Sequence, residues 1–451
     1  MHTRVQLRAV RQGGEVTRLR ASSLALLACL VLHSAARAEE PQPDDEYELS
    51  AAELANLGLT DENGEAQAVD TAIKLYGFID FSTVFVLASH TWREIIQEHP
   101  SFYIGNFNLY LSKNINQSVR TFAEVRLMYL PNGSRSQTTL TGDWTSTVAY
   151  DYADFDRALK WGGIEIERVY LEWTIHSLLS LRVGQFLTPY GIWNVDHGSP
   201  TIIPVIRPFI IGNQLFPERQ TGFELFGQLR LSSDHTLGYH LTLSNGFGPV
   251  SEYRDLDDNK AVGGRLYWTY EGLGELRIGV SGFFGSDTDA RRVVRVDSNA
   301  LPTFTERIEQ QSDVLALAGD LRWQLGGALL QAEVITQQRH YTDGRRAIFT
   351  HPLLGRPVAL PDTFSWGGYV LAGYRFEWLG SMPFAMLSHV NFIEPFELTR
   401  AKPVVVDVGL NVRPIDEVVI KVDYQHAFWP GGYFLTDVPM QVLSFQLAWA
   451  F

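Results

Sequence analysis

The sequence predicts an all-β protein, a transmembrane antiparallel β-barrel of about 16 strands. Three observations predict it. From Ala72 onward the chain alternates apolar and polar side chains in sixteen successive stretches, and a strand sends successive side chains to opposite faces. The connections between the stretches are short and long by turns. Aromatic residues make up 12% of the chain, with 18 Tyr and 11 Trp, and several gather at stretch ends. Beyond residue 38 nothing approaches the ~20 consecutive apolar residues of a membrane-spanning helix.

Residues 1–38 read as a secretory signal peptide. Arg4, Arg8, Arg11, Arg18 and Arg20 form a basic start, "SSLALLACLVLHSA" an apolar middle, and Ala36-Arg37-Ala38 a small-x-small cleavage site. Cleavage would leave Glu39 first. Cys29 is the one cysteine, so the mature chain would hold no disulfide, thiolate metal site or cysteine nucleophile. It would carry 31 basic and 50 acidic residues, a net charge of −19. Residues 39–71 supply eleven acids and no base and read as an acidic periplasmic tail. "ELSAAELANLGL" within it is expected to be a short helix or disordered. A chain this acidic excludes nucleic acid as a partner.

The strands are expected in order near 73–87, 102–112, 118–130, 164–176, 179–187, 221–232, 236–245, 261–270, 274–285, 314–325, 327–340, 365–378, 382–393, 403–413, 416–427 and 440–451. The stretch at 403–413 shows the pattern plainly. Val404, Val406, Val408, Leu410 and Val412 oppose Asp407, Asn411 and Arg413. "NINQ", "HSL", "SSDH", "EGLG", "GG", "GSM" and "PID" are tight turns. Long connections lie near 90–101, 131–163, 188–220, 246–260, 286–311, 341–364, 394–402 and 428–439. Short periplasmic turns and long extracellular loops are the outer-membrane arrangement. Trp173, Trp268, Trp323, Trp378, Trp449 and Phe451 would form interface girdles.

The alternation assigns charges to the bore. The bases are Lys74, Arg120, Arg126, Arg168, Arg182, Arg230, Arg265, Arg277, Arg322, Arg339, Arg375 and Lys421. The acids are Asp80, Glu124, Glu172, Glu224, Asp320, Glu333, Glu377, Asp407 and Asp423. Such a wall can filter solutes by charge, or its two signs can pair and stiffen it. The connection 188–220 is unusually apolar and holds five prolines. It is expected to fold inward and narrow the bore, with Asp196, His197, Arg207, Glu218 and Arg219 at the constriction. Packing over the rim or a neighbouring subunit is the alternative.

Two stretches carry a family resemblance. The final strand, with Phe445, Leu447, Trp449 and Phe451 at alternate positions, resembles the terminal assembly signal of Gram-negative outer-membrane proteins. "LLSLRVGQFLTPYGIW", with "LYGFIDFS" and "VGLNVRPIDEVVIKVDYQ", resembles the phosphate-selective porin O and P family and related porins. The resemblance implies a porin in the outer membrane that passes small hydrophilic solutes by diffusion. It also implies contact with membrane lipid, lipopolysaccharide and the barrel assembly machinery, and a homotrimer. The loops here are acidic and poor in lysine, unlike the phosphate-gripping loops of that family.

"DYADFD" and "EYRDLDDN" hold carboxylates that could meet Ca²⁺, but they lack the spacing and glycine of a calcium loop. There is no G-x-S-x-G, H-E-x-x-H or P-loop, and the twelve histidines have no metal-like spacing. No enzyme, cofactor or metal is expected. The alternatives to a general porin are a channel specific for an anion or sugar-like solute, and a non-conducting structural or adhesive barrel.

Overall fold

The computed structural model describes residues 72–87, 100–129, 161–195, 198–212, 215–247, 259–296, 302–346, 348–350, 357–359, 361–391, 402–428 and 439–451. The signal segment, the acidic tail, "DYADFD" and nearly all of "EYRDLDDN" lie outside them.

The strands are β1 (Lys74–Val86), β2 (Ser101–Asn114), β3 (Val119–Tyr129), β4 (Trp161–His176), β5 (Leu179–Leu187), β6 (Arg219–Arg230), β7 (His235–Ser244), β8 (Ala261–Tyr270) and β9 (Glu275–Val296). They continue with β10 (Pro302–Leu325), β11 (Ala328–Tyr341), β12 (Ile348–Thr350), β13 (Pro357–Ala359), β14 (Thr363–Tyr374), β15 (Met382–Asn391), β16 (Val404–Ile415), β17 (Val418–Phe428) and β18 (Met440–Ala450). One four-residue helix, α1 (Phe209–Gly212), sits in the connection after β5. Sixteen strands form a closed antiparallel barrel in chain order, and β18 pairs with β1. The pair β12–β13 is a separate small ladder.

The faces are those of a barrel set in hydrocarbon. On β16, Val406, Val408 and Leu410 are exposed while Asp407 between them is 0% exposed. On β7, Leu241 and Leu243 are each 46% exposed, whereas His240 and Thr242 are buried. A soluble sheet would put the apolar face against a core. Here it points out all round, and the polar face points in. That is the membrane-spanning arrangement. At the short-turn end, Trp173, Trp323, Tyr374, Phe376 and Trp378 are exposed. His235, Trp268 and Tyr270 stack there, His235 to Trp268 at 5.6 Å and Trp268 to Tyr270 at 5.9 Å. The Trp323 indole N–H donates to the Leu273 carbonyl at 2.9 Å. Such rings suit the lipid headgroup layer, apolar on one side and wet on the other.

Two expectations change. Most of the loop expected at 286–311 is strand. The β8 ladder on β9 ends at Val262↔Phe284, and the β11 ladder on β10 begins at Ser312↔Tyr341. Beyond those points β9 and β10 bond to each other as far as Val296↔Pro302, and Gln311 also accepts from Thr342 N–H and donates its N–H to Arg345 O. A two-stranded ribbon needs no further neighbour once it leaves the sheet, so it reads in sequence as a loop. The strand expected at 365–378 ends at Tyr374. A turn containing the 3₁₀ helix Trp378–Gly380 follows, with Leu379 at φ +50. Arg375 and Glu377 are therefore exposed turn residues and not part of the bore wall.

Closure depends on the end of β18. Trp449 faces Val418 on one side and Ile79 on the other. Beyond it Phe451 and Gly77 exchange both backbone bonds, Gly77 N–H to Phe451 O at 3.0 Å and Phe451 N–H to Gly77 O at 2.9 Å. The Phe451 ring meets Phe107 edge-on at 6.1 Å. Deleting Phe451 removes both bonds, each worth about 1 kcal/mol net. The expected outcome is a lower temperature for loss of the compact, heat-modifiable gel band. An unchanged transition would show that the seam does not depend on its last residue.

Candidate functional site

The bore is built from two parts, a charged wall and the segment 188–218 that lies against it. The wall begins with a run of ion pairs across neighbouring strands. Arg120 holds Glu172 at 2.7 Å. Arg182 bridges Glu172 at 2.6 Å and Glu224 at 2.7 Å. His240 Nδ1 lies 2.9 Å from Glu224. Arg168 pairs with Glu124 at 2.6 Å and lies 4.8 Å over the Phe122 ring. Arg182 stacks likewise on Tyr170 at 4.4 Å. Further along the wall Arg265 on β8 pairs with Asp320 on β10 at 2.7 Å, and Arg339 on β11 pairs with Asp287 on β9. These groups are mostly buried, so each charge needs its partner. Lys74 is half-buried at the start of β1. Arg277 meets Glu275 at 3.3 Å, and Arg322 is half-buried on β10. Arg230, at the end of β6, is exposed and bonds back to the carbonyls of Ser232 and Ser233.

Segment 188–218 is tied to inward-facing side chains around the wall. Its stem closes through Thr188 N–H to Glu218 O at 3.0 Å and the Asn194 amide to Thr188 O at 2.6 Å. Tyr190 Oη meets Thr242 Oγ1 at 2.5 Å. Ile192 N–H donates to Glu333 at 3.3 Å. Ser199 Oγ donates to Asp80 at 2.5 Å. Lys421 Nζ donates to the carbonyls of Ser199 and Ile202 at 2.6 and 2.7 Å. The Asn411 amide reaches Ile203 O at 2.9 Å, and the Gln337 amide reaches Leu215 O at 2.9 Å. Arg413 donates to Pro200 O, and Val205 N–H donates to Asp423.

Why the segment is apolar is visible in what it covers. Tyr190, Trp193, Ile210, Ile211, Leu215 and Phe216 pack on Phe283, Ile335, Tyr369, Leu371, Phe384 and Met386 of the wall. Strands β14 and β15 are therefore apolar on both faces: Val370 and Leu387 point out, and Leu371 and Met386 point in. Each large side chain buried this way contributes roughly 1.5–3 kcal/mol.

The motif that resembles porins turns the chain inward. Gly191 has φ +73, and a Cβ there would meet the Glu333 carboxylate. Only glycine combines that backbone with that approach. The adjacent Ile192 N–H then reaches Glu333.

Between wall and segment lies a cleft lined by Arg126, Glu167, Trp193, Arg207, Glu218 and Arg219, among others. Glu167 binds Arg219 at 2.5 Å and Arg126 at 3.3 Å. Glu218 binds Arg207 at 3.3 Å and Arg219 at 3.8 Å. Arg207 and Glu218 keep about a third of their side-chain surface exposed, 34% and 28%. Asp196 and His197 lie outside the described residues. Sequence reading missed Glu167, because alternation places it outward. The register jumps there: Arg168 faces Glu124, and Ile166 faces Val125. Glu167 is an extra, bulged residue, so Glu167 and Arg168 both turn in. Asn106 was passed over as an uncharged residue, although it shares the parity of the buried Asn108. The ladder jumps from Ile79↔Phe107 to Phe81↔Ile104, and Asn106 bonds Asp80 at 2.6 Å and Ser199 at 3.0 Å.

No protein-family model and no curated protein matches the chain. Solved barrels share its architecture. The anion-selective porin from Comamonas acidovorans is 10% identical, with 85% of this chain and 100% of that one covered at a TM-score of 0.49. The trimer form of OmpT, an outer membrane protein of Vibrio cholerae, gives 10%, 85%, 100% and 0.48. The outer membrane channel DcaP of Acinetobacter baumannii gives 9%, 85%, 100% and 0.47.

The inward turn can be tested at Gly191. Gly191→Ala forces a side chain into a left-handed backbone and against Glu333, at a cost of about 1–3 kcal/mol. Gly344 has the same φ of +73 with nothing within 4 Å of its Cβ position. Gly344→Ala is therefore expected to lower the thermal midpoint less than Gly191→Ala. Equal shifts would remove Glu333 from the account.

Proposed function

We propose that the chain is an outer-membrane porin through which small hydrophilic solutes diffuse passively, with no bond made or broken. It reaches the membrane after cleavage of residues 1–38, contacts lipid and lipopolysaccharide, and is inserted by the barrel assembly machinery through its final strand. The observation that carries the reading is the charged cleft beside segment 188–218. An apolar outside with a filled, uncharged inside would need no such charges. In the cleft Arg126, Arg207 and Arg219 face Glu167 and Glu218, three guanidiniums against two carboxylates. The acidic loops and tail oppose that field, but salt screens charges beyond about 8–10 Å. The cleft governs the narrowest section, and the reading is weak anion preference. The same three arginines favour a second reading, a channel specific for an anion. Block of conductance by one class of anionic solute at low concentration would select it.

Replacing residues 192–217 by a short Gly/Ser connection is the direct experiment. The ladder holds the barrel, so insertion is expected to persist, although the apolar wall under the segment becomes bare. Single-channel conductance is expected to rise severalfold. Removing the charge of Arg207 alone should shift the reversal potential in a salt gradient more than it changes conductance. An inserted, shortened barrel with unaltered conductance would place the resistance elsewhere. A barrel with no conductance in either form would favour the structural reading.

We also propose a homotrimer. Light scattering in mild detergent is expected to give three times the monomer mass, and a monomer there would remove the claim.

A further inference from the structure

Away from the cleft, β16 and β17 bring two carboxylates together on the inner wall. Asp407 is 0% exposed and Asp423 is 1% exposed. Gly409 stands opposite Asp423 in the ladder, and Asp407 precedes Gly409 by two residues on the same face. Asp423 Oδ1 leans over Gly409, where a Cβ would meet it at 2.6 Å. The absent side chain makes that room. Asp423 Oδ2 accepts from Val205 N–H of the bore segment. The other three oxygens, both of Asp407 and Oδ1 of Asp423, accept no hydrogen bond among the described residues. Gln425 stands opposite Asp407 in the ladder, with its amide beside that carboxylate. On the other flank Ser444 pairs with Asp423 in register and is 1% exposed. Its hydroxyl also has no hydrogen-bond partner among the described residues.

The neighbouring cation is Lys421, whose ammonium donates to the carbonyls of Ser199 and Ile202. Two carboxylates against one ammonium leave a negative charge out of water, which is strongly unfavourable unless a positive group joins it. The open donors are all oxygens. No group of three His, Cys, Asp or Glu that could hold a metal ion gathers among the described residues, so these two carboxylates are the whole of the anionic set. Oxygen donors of mixed charge suit a hard cation, and calcium tolerates irregular shells completed by water.

We propose that Asp407 and Asp423, with Ser444 Oγ and water, hold one calcium-class divalent cation. Through Val205 the ion fastens the bore segment to the wall. Carboxylate charge and the shared backbone contact make binding and anchoring one event.

The test uses purified, folded, full barrel in detergent, freed of metal by chelation and titrated with calcium chloride by calorimetry. Wild type is expected to show one tight site, with a thermal midpoint that rises on calcium addition. Asp407→Asn should weaken that site by at least about tenfold, because affinity follows ligand charge. The metal-free Asp407→Asn protein should melt higher than metal-free wild type, since a buried charge has gone. Gly409→Ala should weaken the site by displacing Asp423 Oδ1. A barrel with the acids at 151–156 and 252–259 neutralised should keep it, which separates the wall from the loops. Calcium binding unchanged in Asp407→Asn would overturn the proposal. So would a midpoint indifferent to calcium in wild type, even if Asp407→Asn stabilised the barrel, because a proton would then be the neutralising partner.

Discussion

In hydrocarbon a backbone N–H or C=O with no partner has no water to turn to. Everything in this barrel follows from that constraint. A sheet with an open edge is excluded, so β18 must meet β1, and the last backbone bonds run between Phe451 and Gly77. Closure then fixes an inside and an outside. The outside takes an apolar face from every strand. The inside inherits the charges, and those buried there need partners. Arg182 between Glu172 and Glu224 is the clearest result. A buried pair of this kind is weak evidence of stability gained. Its effect is to hold three strands' side chains in one arrangement.

The inward segment solves a second problem created by the same wall. Strands β14 and β15 carry Leu371 and Met386 on the face that would otherwise meet water. Segment 188–218 covers them with Ile210, Ile211 and Trp193. Its polar backbone is satisfied by side chains of the wall, among them Lys421, Asn411 and Gln337. An apolar loop and an apolar patch of lumen are thus two halves of one contact. The charged cleft lies at the edge of this contact, its arginines and glutamates paired with one another.

The strands were legible because lipid and water impose a strict period on them. Val404 to Val412 could be read as a strand from the sequence alone. The segment 188–218 announced itself through "TIIPVIRPFII", which no freely solvated loop should carry. Partners were not legible. Nothing local to Glu333 says that it receives the Ile192 N–H, 141 residues away. Alternation also fails wherever the period slips, which hid Glu167. It fails again where a ribbon leaves the sheet, as β9 and β10 do beyond Phe284 and Ser312. Arg375 and Glu377 were misplaced because the turn after Tyr374 begins earlier than its apolar residues suggest.

The slip at Glu167 lets the charges of this wall change over generations without disturbing the ladder. Ile164 and Ile166 are exposed before it, and Val169, Leu171 and Trp173 after it. Remove Glu167 and the two runs join into one unbroken alternation, with Arg168 still facing Glu124. The ladder therefore does not need this residue. A single codon gained or lost at that position would add or delete the carboxylate that grips Arg126 and Arg219, while every lipid-facing side chain kept its place. The charge of this part of the wall is then open to revision by changes in chain length, independently of the substitutions that the membrane forbids.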